Sequence, residues 1–175
     1  ALALEAIPEL KIEAIYNKSS EAMQRMGKDA VDDGYLLGGK CEDFVLENDS
    51  KFLIDWEEGQ KTGFFLDQRF NRDLVRQLAK GRTALNTFCY TGGFSVTALQ
   101  GGAKQVVSVD CSKKAIDICE KNIELNGFSK EANPSLVEDA KLYLQNMPEN
   151  QYDMIILDPP AFAKNHKSLH RGLLG

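Results

Sequence analysis

The chain has 175 residues, 43% hydrophobic and 27% charged, with a formal net charge of −5; this suffices for one well-cored domain plus a small companion and excludes a fibrous or disordered protein. Apolar runs such as Met154–Leu157 fall far short of the roughly 20 residues a membrane span needs. Ala1–Leu10 lacks a basic n-region and carries Glu5 and Glu9, so no signal peptide is read and a cytoplasmic protein is expected.

Charge is divided unevenly. Residues 1–60 hold 14 acidic and 6 basic side chains, whereas residues 61–175 hold 12 and 15. Because phosphate binding depends on local patches, the total neither supports nor excludes RNA as a partner. Cys41, Cys89, Cys111 and Cys119 form no C-x-x-C pair and have no nearby histidine, so no metal site is expected and they read as small apolar side chains in a reducing compartment.

The first third reads as a small α+β domain over residues 1–60. Ile12–Tyr16 has a strand-like pattern, and Ser19 or Ser20 is placed to cap a helix through Glu21–Lys28. Glu42–Glu47 and Lys51–Trp56, joined by Asn48-Asp49-Ser50, predict a hairpin with Phe44, Leu46, Phe52, Ile54 and Trp56 as its alternating apolar positions. Residues 57–60 read as the linker to a second domain over 61–175.

From residue 70 helices and strands alternate. The spacing predicts a helix at Phe70–Lys80, strand Thr83–Thr87, helix Phe94–Gln100 stopped by Gly101-Gly102, and strand Gln105–Asp110. Ser112 then caps a helix with Ala115, Ile116, Cys119 and Ile123 on one face, ended by Asn126-Gly127. A strand near Ser135–Glu138, a helix at Ala140–Asn146 and strand Tyr152–Leu157 complete the series. Dense apolar strands alternating with helices imply an α/β fold, a parallel, doubly wound Rossmann-like sheet of about four strands.

In such a sheet ligands bind beyond the carboxyl ends of the strands. The first strand leads into Phe88-Cys89-Tyr90-Thr91-Gly92-Gly93, which lets backbone approach a ligand and presents free helix N–H groups, or is simply a structural turn. The second ends at Asp110, 18 positions after Gly92, where an acid accepts from ribose hydroxyls or, with Ser112, caps the next helix. The third ends in Glu138-Asp139, placed equally for an adenine amino group or a helix cap. The fourth ends in Asp158-Pro159-Pro160-Ala161-Phe162, a rigid stop that carries an acid and an aromatic. Neither G-x-G-x-x-G nor G-K-[ST] is present, so no pyrophosphate or triphosphate cradle is read. Acidic and aromatic groups suit a nucleoside with a cationic sulfonium instead.

On these residues the chain resembles class I S-adenosylmethionine-dependent methyltransferases, and more closely the bacterial family methylating carbon 5 of cytosine in large-subunit ribosomal RNA. The resemblance rests on Lys61–Arg69, Leu85–Phe94, Val107–Asp110 and Asp158–Phe162, and spans about residues 12–175. It implies that Phe64, Asp67, Gln68 and Arg69 pack beside the methionine end of S-adenosylmethionine and that Tyr90, Thr91, Gly92 and Gly93, with Phe88, line it. It further implies that Asp110, with Cys111, holds the ribose, that Asp139, with Ala140, holds the adenine, and that Asp158, Pro159, Pro160 and Phe162 face the methyl group and target base. Residues 12–60 match the small domain that follows an RNA-binding PUA domain in this family. That PUA domain, and the last three of the family's seven strands, are not seen here.

The family's thiolate nucleophile falls after a later strand, so none of the four cysteines takes that role, and the 175-residue chain by itself is expected not to turn over. Lys164, His166, Lys167, His170 and Arg171 read as an RNA-facing loop or as plain solvated surface. The alternatives are a methyltransferase of this fold acting on guanine, protein or a small molecule, and a non-catalytic cofactor- or RNA-binding fragment. An exposed edge on the fourth strand is expected to favour a homo-oligomer.

Overall fold

The structure, a computed structural model, describes residues 7–29, 31–40, 44–59 and 62–160. They divide into two compact units, Ala1–Phe44 with Ile54–Phe65, and Val45–Leu53 with Leu66–Gly175.

In the first unit β1 (Ile15–Asn17) pairs antiparallel with β2 (Gly34–Leu37), setting Tyr16 opposite Tyr35 with ring centroids 5.0 Å apart, edge to face. The strand expected at Ile12–Tyr16 therefore begins later, and its partner is too short to show a period in the sequence. Helix α1 (Ser20–Arg25) takes no side-chain cap from Ser19. Asp33 supplies one across the chain instead: its carboxylate accepts from Ser20 N at 2.9 Å and Ser20 Oγ at 2.8 Å. Those two hydrogen bonds hold the Asp33 carboxyl below its ordinary value. Lys18 Nζ donates to the carbonyls of Trp56 and Gly59 at 2.7 and 2.6 Å, tying the second segment of this unit to the first.

The second unit is built on a parallel four-stranded sheet, order β7 (Ser135–Val137), β6 (Gln105–Asp110), β5 (Thr83–Thr87), β8 (Met154–Leu157). Helices lie on both faces, which is why the apolar residues of β5 and β6 run without alternation. On one face Leu85, Val107 and Val109 pack with Ala140, Tyr143 and Leu144 of α5 (Ala140–Asn146). The other face carries α3 (Gly93–Gln100) and α4 (Lys113–Leu125), with α2 (Arg69–Leu78) packed on α3. Strand order steps from β5 to β6 to β7 and then returns to the far side of β5, placing the reversal between β5 and β8. Open α/β sheets bind ligands at that reversal. Among the described strands β8 is an edge, and Ile155 and Leu157 on it are exposed.

The hairpin forms as β3 (Phe44–Glu47) and β4 (Ser50–Leu53), shorter than expected. Asn48 and Asp49 make the turn with φ of +49° and +67°, the paired left-handed geometry that matches strand twist. Val45–Leu53, read from the sequence with residues 1–60, groups with the sheet unit. Lys51 N donates to Asn126 Oδ1 at 2.9 Å and Asn126 Nδ2 returns a bond to Lys51 O at 2.7 Å, so an α4 side chain takes the place of a neighbouring strand. The expected alternation is also inverted in β3. Leu46 is 68% exposed while Glu47 is 6% exposed, because Glu47 pairs with the buried Arg72 of α2. No described helix is long and apolar enough to cross a membrane.

Candidate cofactor site

Parallel register brings the ends of β5, β6, β7 and β8 to one edge of the sheet. The loop leaving β5 is wound tightly there: Phe88, Tyr90 and Gly92 all have positive φ, at +54°, +50° and +79°. The left-handed conformation costs roughly 1–2 kcal/mol for a residue with a side chain, so the surroundings must over-determine it. Hydrogen bonds among the described residues do so. Cys89 N donates to Val109 O at 3.1 Å, Tyr90 N to Asp110 Oδ2 at 2.9 Å, Gly92 N to Cys89 O at 2.9 Å, and Asn122 Nδ2 to Thr91 O at 2.9 Å.

Asp110 is thereby held at both oxygens, since Oδ1 accepts Ser112 N at 2.9 Å. Ser112 itself caps α4, its Oγ accepting from Ala115 N at 3.2 Å, so Asp110 is not the cap. One backbone donor per oxygen leaves acceptor capacity on each, suited to two adjacent hydroxyls. Cys111 beside it is exposed. At the end of β7, tied to β6 by Glu138 N donating to Asp110 O at 3.0 Å, Asp139 caps α5 through Oδ1, which accepts Lys141 N at 2.8 Å and Leu142 N at 3.1 Å. The cap uses one oxygen only, so it and a ligand contact through Oδ2 are compatible. Ala140 next to it is buried in the apolar cluster, against which Phe88 also packs.

At the end of β8, Asp158 Oδ2 accepts from Gln68 Nε2 at 3.1 Å, and Gln68 Oε1 accepts from Asn71 Nδ2 at 2.6 Å. Gln68 closes a 3-10 turn, Leu66–Gln68, that delivers the chain into α2. The block of Asp67, Gln68 and Arg69 thus reaches the sheet edge through Gln68, while Asp67 and Arg69 are exposed nearby in the chain. Phe64 is buried in the other unit. Pro159 and Pro160 are exposed and outside regular structure. Phe162 and the basic stretch from Lys164 to Arg171 lie outside the described residues.

Behind the loop lie residues that sequence reading did not single out. Arg72 Nε and Nη2 donate to Glu47 Oε1 and Oε2 at 2.6 and 2.8 Å, a two-pronged pair with the residues 3% and 6% exposed. A Cβ on Gly93 would sit 3.4 Å from Arg72 Cδ, so this pair lies against the start of α3. Asn86, Ser95 and Ser108 form a buried chain of hydrogen bonds at 2.8 and 2.7 Å that fixes α3 to β5 and β6, continued by Asn133. Asn122 stands between Cys119 and Ile123 on the core face of α4. A polar residue in an apolar stripe is the one sequence signal available for it; a long-range ion pair such as Glu47–Arg72 leaves none.

Which groups fit a ligand follows from the donor set. Three carboxylates with acceptor capacity, Asp110, Asp139 and Asp158, stand at three strand ends beside two aromatics, matching a ligand that brings hydroxyls, an amino group and positive charge and repelling a polyphosphate. The glycines serve packing as well as approach: a Cβ on Gly92 would lie 2.4 Å from Cys119 Sγ, so α4 presses on the loop from behind. Cys89 is buried, and the adjacent Cys119 and then burial itself push its thiol well up.

The family model for S-adenosylmethionine-dependent methyltransferases matches residues 22–172. MJ1653 of Methanocaldococcus jannaschii is 42% identical over 176 residues, 98% of this chain and 45% of that protein. Ribosomal RNA large subunit methyltransferase I of Aeromonas hydrophila is 40% identical over 161 residues, 89% of this chain and 41% of that protein. The crystal structure of SMU.776 complexed with SAH superposes with a TM-score of 0.66 at 33% identity, covering 81% of this chain and 41% of that one. The chain thus spans less than half the length of these relatives.

Proposed function

Since the chain belongs to the family of S-adenosylmethionine-dependent methyltransferases, we propose that it forms the cofactor-holding part of a cytoplasmic enzyme that methylates a base of large-subunit ribosomal RNA, carbon 5 of cytosine being the favoured position. The observation that carries this reading is the Asp110 carboxylate, fixed at both oxygens by Tyr90 N and Ser112 N where β6 ends. Asp110, beside Cys111, takes the ribose hydroxyls; Asp139 Oδ2 takes the adenine amino group, whose ring lies by Phe88 and Ala140. Tyr90, Thr91, Gly92 and Gly93 line the methionine portion, with Asp67, Gln68 and Arg69 beside it. Asp158, Pro159 and Pro160 form the face toward the target base.

S-adenosylmethionine, when bound, supplies an electrophilic methyl group on a sulfonium. The chain contributes position and electrostatics: the β5 loop fixes the methyl donor and the Asp158 carboxylate, oriented by Gln68, sets the acceptor side. Holding two reactants in line is worth several orders of magnitude in effective concentration. The ribosomal RNA assignment is supported by the name of the Aeromonas hydrophila relative and by the blocks shared with the cytosine family. Its test is transfer of labelled methyl by the full-length protein to naked RNA from both ribosomal subunits, with the product mapped. Label at carbon 5 of a cytosine in large-subunit RNA is expected. Label on guanine would overturn the base, and no label on either RNA would overturn RNA as substrate.

A further inference from the structure

We infer that Asn122 is a positioning residue for the cofactor loop, selecting the orientation of the Thr91–Gly92 peptide and coupling it to the hairpin. This rests on the reading of that loop as part of the S-adenosylmethionine site. Asn122 is fully buried, and both ends of its amide are engaged: Nδ2 donates to Thr91 O at 2.9 Å and Oδ1 accepts Leu53 N at 2.6 Å. The two partners fix which end is which, since a carbonyl accepts and an N–H donates.

The loop needs such a restraint at this peptide. Gly92 has φ of +79°, and glycine adopts either sign of φ at little cost, so the residue itself does not decide which way the Thr91 carbonyl points. A rotation of that peptide would swing the Gly92 N–H away from Cys89 O and re-aim the first turn of α3. Helix α4 packs closely at this point, a Cβ on Gly92 being placed 2.4 Å from Cys119 Sγ, and its next inward residue, Asn122, reaches the carbonyl at 2.9 Å. One turn further on, Asn126 makes the matching pair of bonds to Lys51, donates also to Asn122 O at 2.7 Å, and makes no hydrogen bond to the loop among the described residues. The fold therefore contains its own control.

The experiment is calorimetric binding of S-adenosylmethionine to the full chain, to Asn122→Asp and to Asn126→Ala, with thermal unfolding of each. Asn122→Asp keeps the acceptor for Leu53 N and loses the donor to Thr91 O. Its affinity is expected to fall about 5–10-fold at neutral pH, the scale of one hydrogen bond. It should recover as pH is lowered and the buried acid, now neutral, donates again. Asn126→Ala should bind within about twofold of the unmodified chain, whatever stability it loses. Equal affinities for Asn122→Asp and the unmodified chain, an equal loss in Asn126→Ala, or a loss that does not change with pH would each overturn the inference. Absence of binding by the unmodified chain would instead bring down the cofactor reading and this inference with it. If Asn122→Asp does not fold, amide exchange in the unmodified chain decides: cofactor should slow exchange at Leu53 N more than at Lys51 N, and no change at Leu53 overturns the coupling.

Discussion

Replacing Arg72 by methionine tests how the hairpin and the base of the cofactor loop are joined. The guanidinium meets Glu47 through two short bonds, 2.6 and 2.8 Å, in a place where the two residues are 3% and 6% exposed. Taking away one member strands a buried carboxylate, which costs about 3–5 kcal/mol, whereas replacing both members by apolar residues of similar volume is close to neutral. Arg72→Met should therefore lower the midpoint of thermal unfolding by about 6–20 °C, at roughly 2–4 °C per kcal/mol for a chain of this size. The double variant Arg72→Met/Glu47→Leu should regain most of that loss. Urea unfolding of the four proteins closes the cycle and gives the coupling energy directly. The reasoning is refuted if Arg72→Met lies within about 1 kcal/mol of the parent, or if the double variant is as unstable as the single one.

Gly92→Ala should destabilise the chain by at least about 1–2 kcal/mol through its left-handed φ alone, with the clash at Cys119 Sγ added, measurable by urea unfolding; a neutral effect would contradict the packing described. Native-state alkylation followed by peptide mass spectrometry should label exposed Cys111 quickly and spare buried Cys89 and Cys119, and S-adenosylmethionine should slow Cys111 if it stands beside the ribose. In the first unit, Asp33 has its carboxyl held below the ordinary 3.8 by Ser20, so its contribution is complete above that pH and is lost as pH falls through the lowered value. Asp33→Asn should flatten that acid limb, followed by nuclear magnetic resonance of Tyr16 and Tyr35; an unchanged limb would remove Asp33 from the cap.

Elements whose formation depends on neighbours in sequence were legible, and those decided by distant contacts were not. Strand Thr83–Thr87, strand Gln105–Asp110, the Ser112 cap and helix Ala140–Asn146 appear where periodicity and capping chemistry put them. The Gly34–Leu37 strand was invisible because four residues hold no period. The face of Glu47 was misread for a different reason: alternation counts a glutamate as solvent-facing, and only Arg72, 25 positions away, reverses that. At the candidate site the strand-end acids were found because parallel topology makes those positions special. What orients them lay beyond reach, since Gln68 meets Asp158 across 90 positions and Asn122 meets Thr91 across 31. At Asp110 the sequence likewise did not reveal that Ser112 Oγ takes the Ala115 N–H while the carboxylate is tied to Tyr90 N and Ser112 N.

Calorimetric titration of S-adenosylmethionine into the chain and into Asp110→Ala, with NADH as the control ligand, tests the central claim most directly. Saturable binding of S-adenosylmethionine, no binding of NADH, and loss of binding in the variant are the predicted results. Equal binding by Asp110→Ala, or preference for NADH, would contradict the assignment of the β5–β6 strand ends as the cofactor site.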